Sequence, residues 1–194
     1  MTGLARCDGA FRVTTTNGEF SADAVVNTAG AKAADVAAML GEVIALEGFP
    51  LQVTVTEPVA PIIPHLVYSA AGKLSLKQAA NGGCIIGGGW AAQERANGTL
   101  TTNPANFTGN MGIAADVVPA VAAARSLRSW TAWVNGTPDW RPIIGEAPGV
   151  PGFFQALFPW VGFSAGPMTA RVTADLVLRR KPEIDLHGIS VLRD

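Results

Sequence analysis

Proline and glycine punctuate the chain so densely from Gly136 to Pro167 that only short strands fit there before a final helix. Ser129 to Val134 and Pro142 to Gly145 read as strands bracketing a Thr137-Pro138-Asp139 turn, and Gly152 to Leu157 as a buried strand. Pro167 to Arg179 reads as a helix with Met168, Val172, Leu176 and Val177 on its apolar side. Arg179, Arg180 and Lys181 close it where the helix dipole favours cations, and Pro182 forbids continuation. With proline expected as its first residue and Gly162 to Gly166 before it, the helix start would aim free N–H groups into a glycine-rich loop. Such an end stabilises negative charge by ~0.3–1 kcal/mol in the open and up to ~2 kcal/mol when partly buried.

Upstream, Phe11 to Thr16 and Phe20 to Asn27 read as two strands joined by Asn17-Gly18, a pair suited to the positive φ of a type I′ turn. The second strand ends in Val25-Val26-Asn27-Thr28-Ala29-Gly30, where small residues allow close approach of backbone or ligand; a helix over 33–40 follows, stopped by Gly41. Leu51 to Glu57, Leu66 to Ala70, Lys73 to Gln78 and Cys84 to Gly88 predict four strands of an antiparallel meander. Val53, Val55 and Glu57 fall on one face, Thr54 and Thr56 on the other. A helix is expected over 106–125, bent or divided at Pro119.

Composition narrows the function. Only 15% of residues are charged and 48% are hydrophobic, against the ~25% charge of ordinary soluble domains, so apolar surface is expected to be hidden against something else. The 14 basic and 15 acidic residues are scattered, which argues against nucleic-acid binding. Apolar runs such as Ala114 to Ala124 and Phe153 to Val161 are interrupted by proline and fall short of the ~20 residues that cross a bilayer, so no membrane span is expected. Cys7 and Cys84 are too few and too isolated for a disulfide framework or a thiolate metal site, and no leader pattern opens the sequence; a cytoplasmic setting is the expectation.

The strings Thr137-Pro138-Asp139-Trp140-Arg141-Pro142-Ile143-Ile144-Gly145, Pro148-Gly149-Val150-Pro151-Gly152-Phe153-Phe154 and Gly162-Phe163-Ser164-Ala165-Gly166-Pro167 resemble, in order and spacing, the closing stretch of the D-amino-acid oxidase superfamily of flavoenzymes. Val25 to Gly30 resembles that family's V-V-N-A-A-G segment. The resemblance implies an α+β fold: an antiparallel or mixed substrate-domain sheet with helices, plus the C-terminal part of a flavin-binding α/β domain. It implies partial FAD-binding residues at 1–45, a substrate sheet at 46–136 and a closing flavin segment at 137–194. It further implies non-covalent FAD, a small amino or imino acid substrate, and hydride transfer from the substrate α-carbon to the flavin. In that family the start of the last helix faces the pyrimidine edge of the isoalloxazine and supports the anionic reduced ring. The string Phe158-Pro159-Trp160-Val161 departs from the commoner family pattern, which has Gly-His at the positions of Leu157 and Phe158, and looks more like subunits of multi-chain opine, hydroxyproline or sarcosine dehydrogenases.

By that resemblance the cofactor-side candidates are Asn27, Ala29, Gly30, Gly145, Gly162, Phe163, Ser164, Ala165, Gly166 and Pro167, and the substrate-side candidates are Trp160 and Arg141. Arg128 offers a second guanidinium for a substrate carboxylate, and Tyr68 and Lys77 are further reach. Each has a plainer reading: Gly162 to Pro167 as a helix cap, the tryptophans as core, the arginines as solvated. His65 and His187 lack a triad or ligand partner. The dinucleotide fingerprint G-x-G-x-x-G is missing, since Gly87-Gly88-Gly89 has neither its spacing nor a following helix. A second chain or an N-terminal half is therefore expected to supply it, and these residues alone are not expected to retain FAD. The alternative is a non-catalytic binding or assembly module, or a truncated fragment.

Overall fold

The computed structural model describes residues 1–69 and 71–191, which fall into two units, residues 1–48 with 134–191 and residues 49–69 with 71–133. Strands β1 (Gly3–Cys7), β2 (Ala10–Thr15) and β3 (Gly18–Ala22) form an antiparallel sheet in the first unit. The sequence reading missed β1 and merged β3 with β4 (Val25–Asn27), although Asp23 and Ala24 separate them. The β2–β3 turn also differs from expectation: Thr15 pairs with Gly18, so Thr16 and Asn17 are its central residues. Asn17 keeps a negative φ and only Gly18 is positive, at 122°. A turn of 3₁₀ helix (Gly30–Lys32) leads into α1 (Ala33–Ala38).

In the second unit β5 (Glu47–Pro58), β6 (Val67–Ser69), β7 (Leu74–Gln78) and β8 (Gly83–Gly87) are joined by β11 (Ser126–Gly136) in the order β11-β5-β8-β7-β6; β5 and β11 extend past the unit's bounds. The simple meander is thus corrected. The strand β5 lies beside β8 rather than β6, because eight residues separate β5 from β6 and let the chain cross to the far edge. Ala70, the last residue of the expected 66–70 strand, lies outside the described residues. Strands β9 (Gln93–Glu94) and β10 (Leu100–Thr101) form a small hairpin that the sequence reading did not see.

Helix α2 (Pro104–Val117) starts where Asn103 accepts a hydrogen bond from the Asn106 N–H at 3.2 Å and proline takes the first helical position. Pro119 ends the helix and opens a single 3₁₀ turn to Val121. One sheet face packs Leu74, Leu76, Cys84 and Ile86 with Ala114 and Val121. Thr54 pairs with Ile86 and bonds Ser129 at 2.8 Å, so the threonines of β5 are on the buried face and Val53 and Val55 on the opposite one. That opposite face also carries Lys77, Tyr68, Arg128 and Trp130, the Arg128 guanidinium lying 5.5 Å from the indole.

The first unit ends in β12 (Ile143–Glu146), β13 (Phe153–Leu157) and α3 (Gly162–Val177). The sheet order is β12-β13-β4, antiparallel then parallel. Along β13, Phe153 and Leu157 join Val25 of β4 and Ala33 and Ala37 of α1 in two cores on one face. Phe154 and Ala156 face the other way, toward α3. Burial on both faces is what a strand pair with parallel partners requires.

Arg179 takes a left-handed φ of 56° just beyond α3 and is held there by a fork onto Glu146, with 2.6 and 2.9 Å bonds, while Gly152 N–H donates to the same carboxylate at 2.7 Å. The Arg179 guanidinium and the Gly152 amide hold the Glu146 carboxyl at about 2 instead of 4.5. A carboxyl depressed on folding contributes stability above its unfolded value, and that contribution is lost as pH falls from about 4.5 to about 2. The effect is modest because Arg179 is largely exposed. Urea midpoints of the parent should therefore drop between pH 5 and pH 3 by more than those of Glu146→Gln; parallel slopes would show that the fork contributes nothing.

Candidate functional site

Strands β4 and β13 run parallel and both deliver their carboxyl ends to one place. Beyond β4 come Thr28 and Gly30; beyond β13 the chain turns through Phe158 and Trp160 into α3. Between these ends lies a half-open cleft of about 300 Å³, lined by Thr28, Gly30, Asn135, Ala156, Leu157, Phe158, Gly162, Gly166, Thr169 and Ala170. In open α/β sheets ligands sit outside the carboxyl ends of the strands, and this cleft occupies that position.

Helix α3 begins five residues earlier than the sequence reading placed it. Val161 is its N-cap, Ala165 N–H makes a bond to Val161 O at 3.0 Å, and Pro167 sits inside the helix. Proline there has no N–H for the carbonyl of Phe163. Phe163 is 99% exposed, so that carbonyl stays open to water. The N–H groups that precede the first intrahelical bond are those of Gly162, Phe163 and Ser164, on an exposed first turn. The glycine loop expected at 162–166 is thus the first turn and a half of the helix itself.

Of the candidates read from sequence, the cleft gathers Gly30, Gly162 and Gly166. A Cβ added at any of the three would meet nothing within 4 Å, so their missing side chains leave open space. Phe163, Ser164, Ala165 and Pro167 belong to the same helix start without lining the cleft. Asn27 points to the other face of the sheet, 2% exposed; its Nδ2 donates to Ala33 O and Gln155 Oε1, each at 2.9 Å, and its Oδ1 accepts from Ala29 N–H at 3.2 Å. Asn27 thereby fixes the bend that carries Thr28 and Gly30 to the cleft. Gly145 lies in β12 at φ 145°, where a Cβ would press on Val191 at 3.2 Å.

Trp160 stacks on Trp140 with ring centroids 4.8 Å apart and planes 13° from parallel. Both tryptophans hold left-handed backbones, φ 61° and 60°, a strained state for bulky residues. Trp160 N–H donates to Asn135 O at 3.2 Å and Asn135 Nδ2 to Phe158 O at 3.4 Å, tying the turn to the end of β11. Arg141 receives no place in the cleft: its N–H donates to Asp139 Oδ1 at 3.1 Å and its guanidinium lies over Gly188. Asn135, Thr28 and Thr169 are the cleft's polar side chains that were not among the candidates; Thr28 lies within Val25 to Gly30 and Asn135 within the strand from Trp130 to Gly136, while Thr169 carries no local signal.

Fold and cleft define an α+β protein whose partly parallel sheet is interrupted in sequence by an antiparallel-sheet unit. The match to a family model described as FAD dependent oxidoreductase spans residues 1–176, and the chain belongs to that D-amino-acid-oxidase-type family. It is 27% identical to the sarcosine oxidase subunit beta of Rhizobium meliloti (strain 1021), over 94% of this chain and 44% of the relative. It is 30% identical to the glycine oxidase of Geobacillus kaustophilus (strain HTA426), over 92% of this chain and 47% of the relative. The crystal structure of glycine oxidase from Geobacillus kaustophilus superposes with a TM-score of 0.82 at 25% identity, covering 99% of this chain and 51% of that one. L-proline dehydrogenase from P. horikoshii shares the fold with a TM-score of 0.88 over 98% of this chain and 52% of that one. The chain thus spans about half the length of the relatives it matches. Among the described residues, no helix is long and apolar enough to cross a membrane.

Proposed function

We propose that this chain is a portion or subunit of an FAD-dependent oxidoreductase that oxidises the C–N bond of a small amino or imino acid. The observation carrying this reading is the cleft in which Gly30, just past β4, and Gly162 and Gly166 of α3 leave a space beyond the carboxyl ends of two parallel strands. Its volume of about 300 Å³ lies at the lower end of the ~300–1,000 Å³ of whole-ligand pockets. It therefore fits a ring-sized part of FAD rather than the complete dinucleotide.

FAD, when bound, supplies the hydride acceptor. The amides of Gly162, Phe163 and Ser164 present fixed partial positive charge where electron density would gather, and they need no reorganisation to do so. Asn27 holds the β4 bend and Asn135 the Trp160 turn, so both walls are positioned by buried or half-buried hydrogen bonds. Trp160 is assigned to the substrate side as an aromatic wall, braced by Trp140. Residues 46–136 are assigned as the substrate-binding sheet, with Arg128 rather than Arg141 as the candidate fork for a substrate carboxylate. The sarcosine, glycine and proline named for the similar proteins support a small amino or imino acid as the substrate class.

The pyrophosphate cradle is assigned to a complementary half. Purified by itself, the chain is expected to carry little FAD; with the complementary half it is expected to turn yellow and to bleach anaerobically with a panel of amino and imino acids. A chain that binds stoichiometric FAD alone overturns the division of labour, and a yellow complex that no amino or imino acid bleaches overturns the substrate class.

A further inference from the structure

Lys77 of β7 pairs with Ile85 of β8, and Ile85 with Val55 of β5, so these three side chains stand abreast on the sheet face opposite α2. Beyond β5 comes β11, whose Arg128 and Trp130 project from the same face because Ser129 joins Thr54 on the other. Lys77 and Arg128 are thus three strand spacings apart, ~14 Å, with a valine and an isoleucine as the floor between them. Beside that line Ser75 pairs with Gly87, where an added Cβ would stand 3.2 Å from Ser75 Oγ and 3.5 Å from Val53 Cγ2, so glycine keeps the floor low. Strand positions 51–55, 75–77, 85–87 and 126–132 contain no aspartate or glutamate. Glu57, farther along β5, is held by Arg125 at 3.0 Å. Among the described residues neither Lys77 nor Arg128 forms an ion pair. The Arg128 guanidinium lies over the Trp130 ring at 5.5 Å, an arrangement that leaves its in-plane N–H fork available.

We infer that Lys77 and Arg128 together bind a substrate with two acid groups, an amino or imino acid carrying a second carboxylate at the end of an apolar spacer. The inference rests on the reading of residues 46–136 as the substrate-binding sheet and adds to it the class of substrate. Two cations over one floor with no carboxylate between them make a field of a single sign, and a dianion is the ligand complementary to it. Their chemistry divides the work. The planar fork of Arg128 suits one carboxylate in a fixed orientation, while the Lys77 ammonium, a point charge on a flexible stem, follows the second. A single compact anion would reach both only if both stems lay flat toward the middle, at the cost of their rotamer freedom. Val55 and Ile85 match methylenes in the spacer and offer no partner to a polar one.

The test titrates the full chain, followed by its amide resonances, with N-(3-carboxypropyl)glycine and N-butylglycine, which differ only by a carboxylate in place of a methyl group. The expected result is at least tenfold tighter binding of the diacid, with shifts at residues 53–55, 75–77, 85–87 and 128–130. Lys77→Gln should cut the difference to less than twofold. Lys77→Glu should reverse it, favouring N-(3-aminopropyl)glycine over the diacid, a change that loss of folding cannot produce. Arg128→Gln should weaken both acids. Lys77 and Arg128 are exposed, so these variants should keep the circular dichroism of the parent. No binding, equal affinity for the two acids, shifts elsewhere, or a preference for the diacid that survives Lys77→Glu overturns the two-cation site. If the diacid binds as expected but the assembled yellow complex bleaches with neither acid, the site stands and the reading as a C–N oxidising enzyme falls. If the complex bleaches equally with both and the titration shows no preference, that reading stands and the site falls.

Discussion

Gly88→Val should destabilise residues 49–133 by ~4–6 kcal/mol, the upper half of the ~2–6 kcal/mol to which ~1–3 kcal/mol of backbone strain and ~1–3 kcal/mol of overpacking sum. Gly88 has φ 126°, and a Cβ added to it would collide with Lys73 O and the Lys73 carbonyl carbon and stand 2.6 Å from Leu74 N. None of these atoms can retreat. Lys73 O already accepts from Trp90 Nε1 at 2.8 Å, and Leu74 opens β7 with its side chain 1% exposed in the core. Gly89→Ala is the matched control, because Gly89 also has positive φ, 86°, but an added Cβ meets nothing within 4 Å. It should cost only the left-handed strain, ~1 kcal/mol. Urea unfolding followed by circular dichroism measures both, and equal losses would show that conformation rather than the approach of β7 requires glycine at 88.

That pair of glycines illustrates what the sequence alone could and could not convey. Gly87-Gly88-Gly89 was legible as a string without the spacing of a dinucleotide loop, but its use, letting the start of β7 pass close, depends on a partner some fifteen positions earlier. Residues separated that far in sequence leave no periodic trace. Short-range signals fared better: alternation in 51–57 gave the faces of β5, and Pro119 divided the helical stretch as its missing N–H requires. They did not reveal that the threonine face would be the buried one, because that depends on Ser129 of β11 reaching Thr54 from 75 residues away.

The start of α3 is the reverse case. Sequence preference puts Pro167 in the first turn because that is proline's cheapest place in a helix. The chain instead places Trp160 in a left-handed turn anchored by Asn135 O, and this starts the helix at Gly162. Residue preference lost to a tertiary hydrogen bond. The consequence for the site is that Gly162 and Gly166, four apart, stack on one helical face rather than being spread along a loop. Only a helix brings both to the same cleft together with Thr169 and Ala170.

Gly166→Leu is therefore expected to separate folding from cofactor binding. A Cβ at 166 meets no atom within 4 Å apart from its chain neighbours, but Pro167 follows directly and crowds a preceding Cβ in a helix, offsetting a gain in helix propensity of under ~1 kcal/mol, so the variant chain should melt near the parent temperature. Its side chain would nevertheless project into a cleft of only about 300 Å³, where a leucine takes up a large share of the space. Assembled with its complementary half, the variant should lose FAD occupancy at least tenfold, read from the visible absorbance per mole of protein. Gly162→Leu, at the helix start, should act in the same direction. Gly112→Leu shares the gain in helix propensity without facing the cleft and should leave the flavin content unchanged. If Gly166→Leu assembles with full FAD and normal turnover, the space between α3 and the end of β4 is not where the ring lies, and the helix start is only a cap.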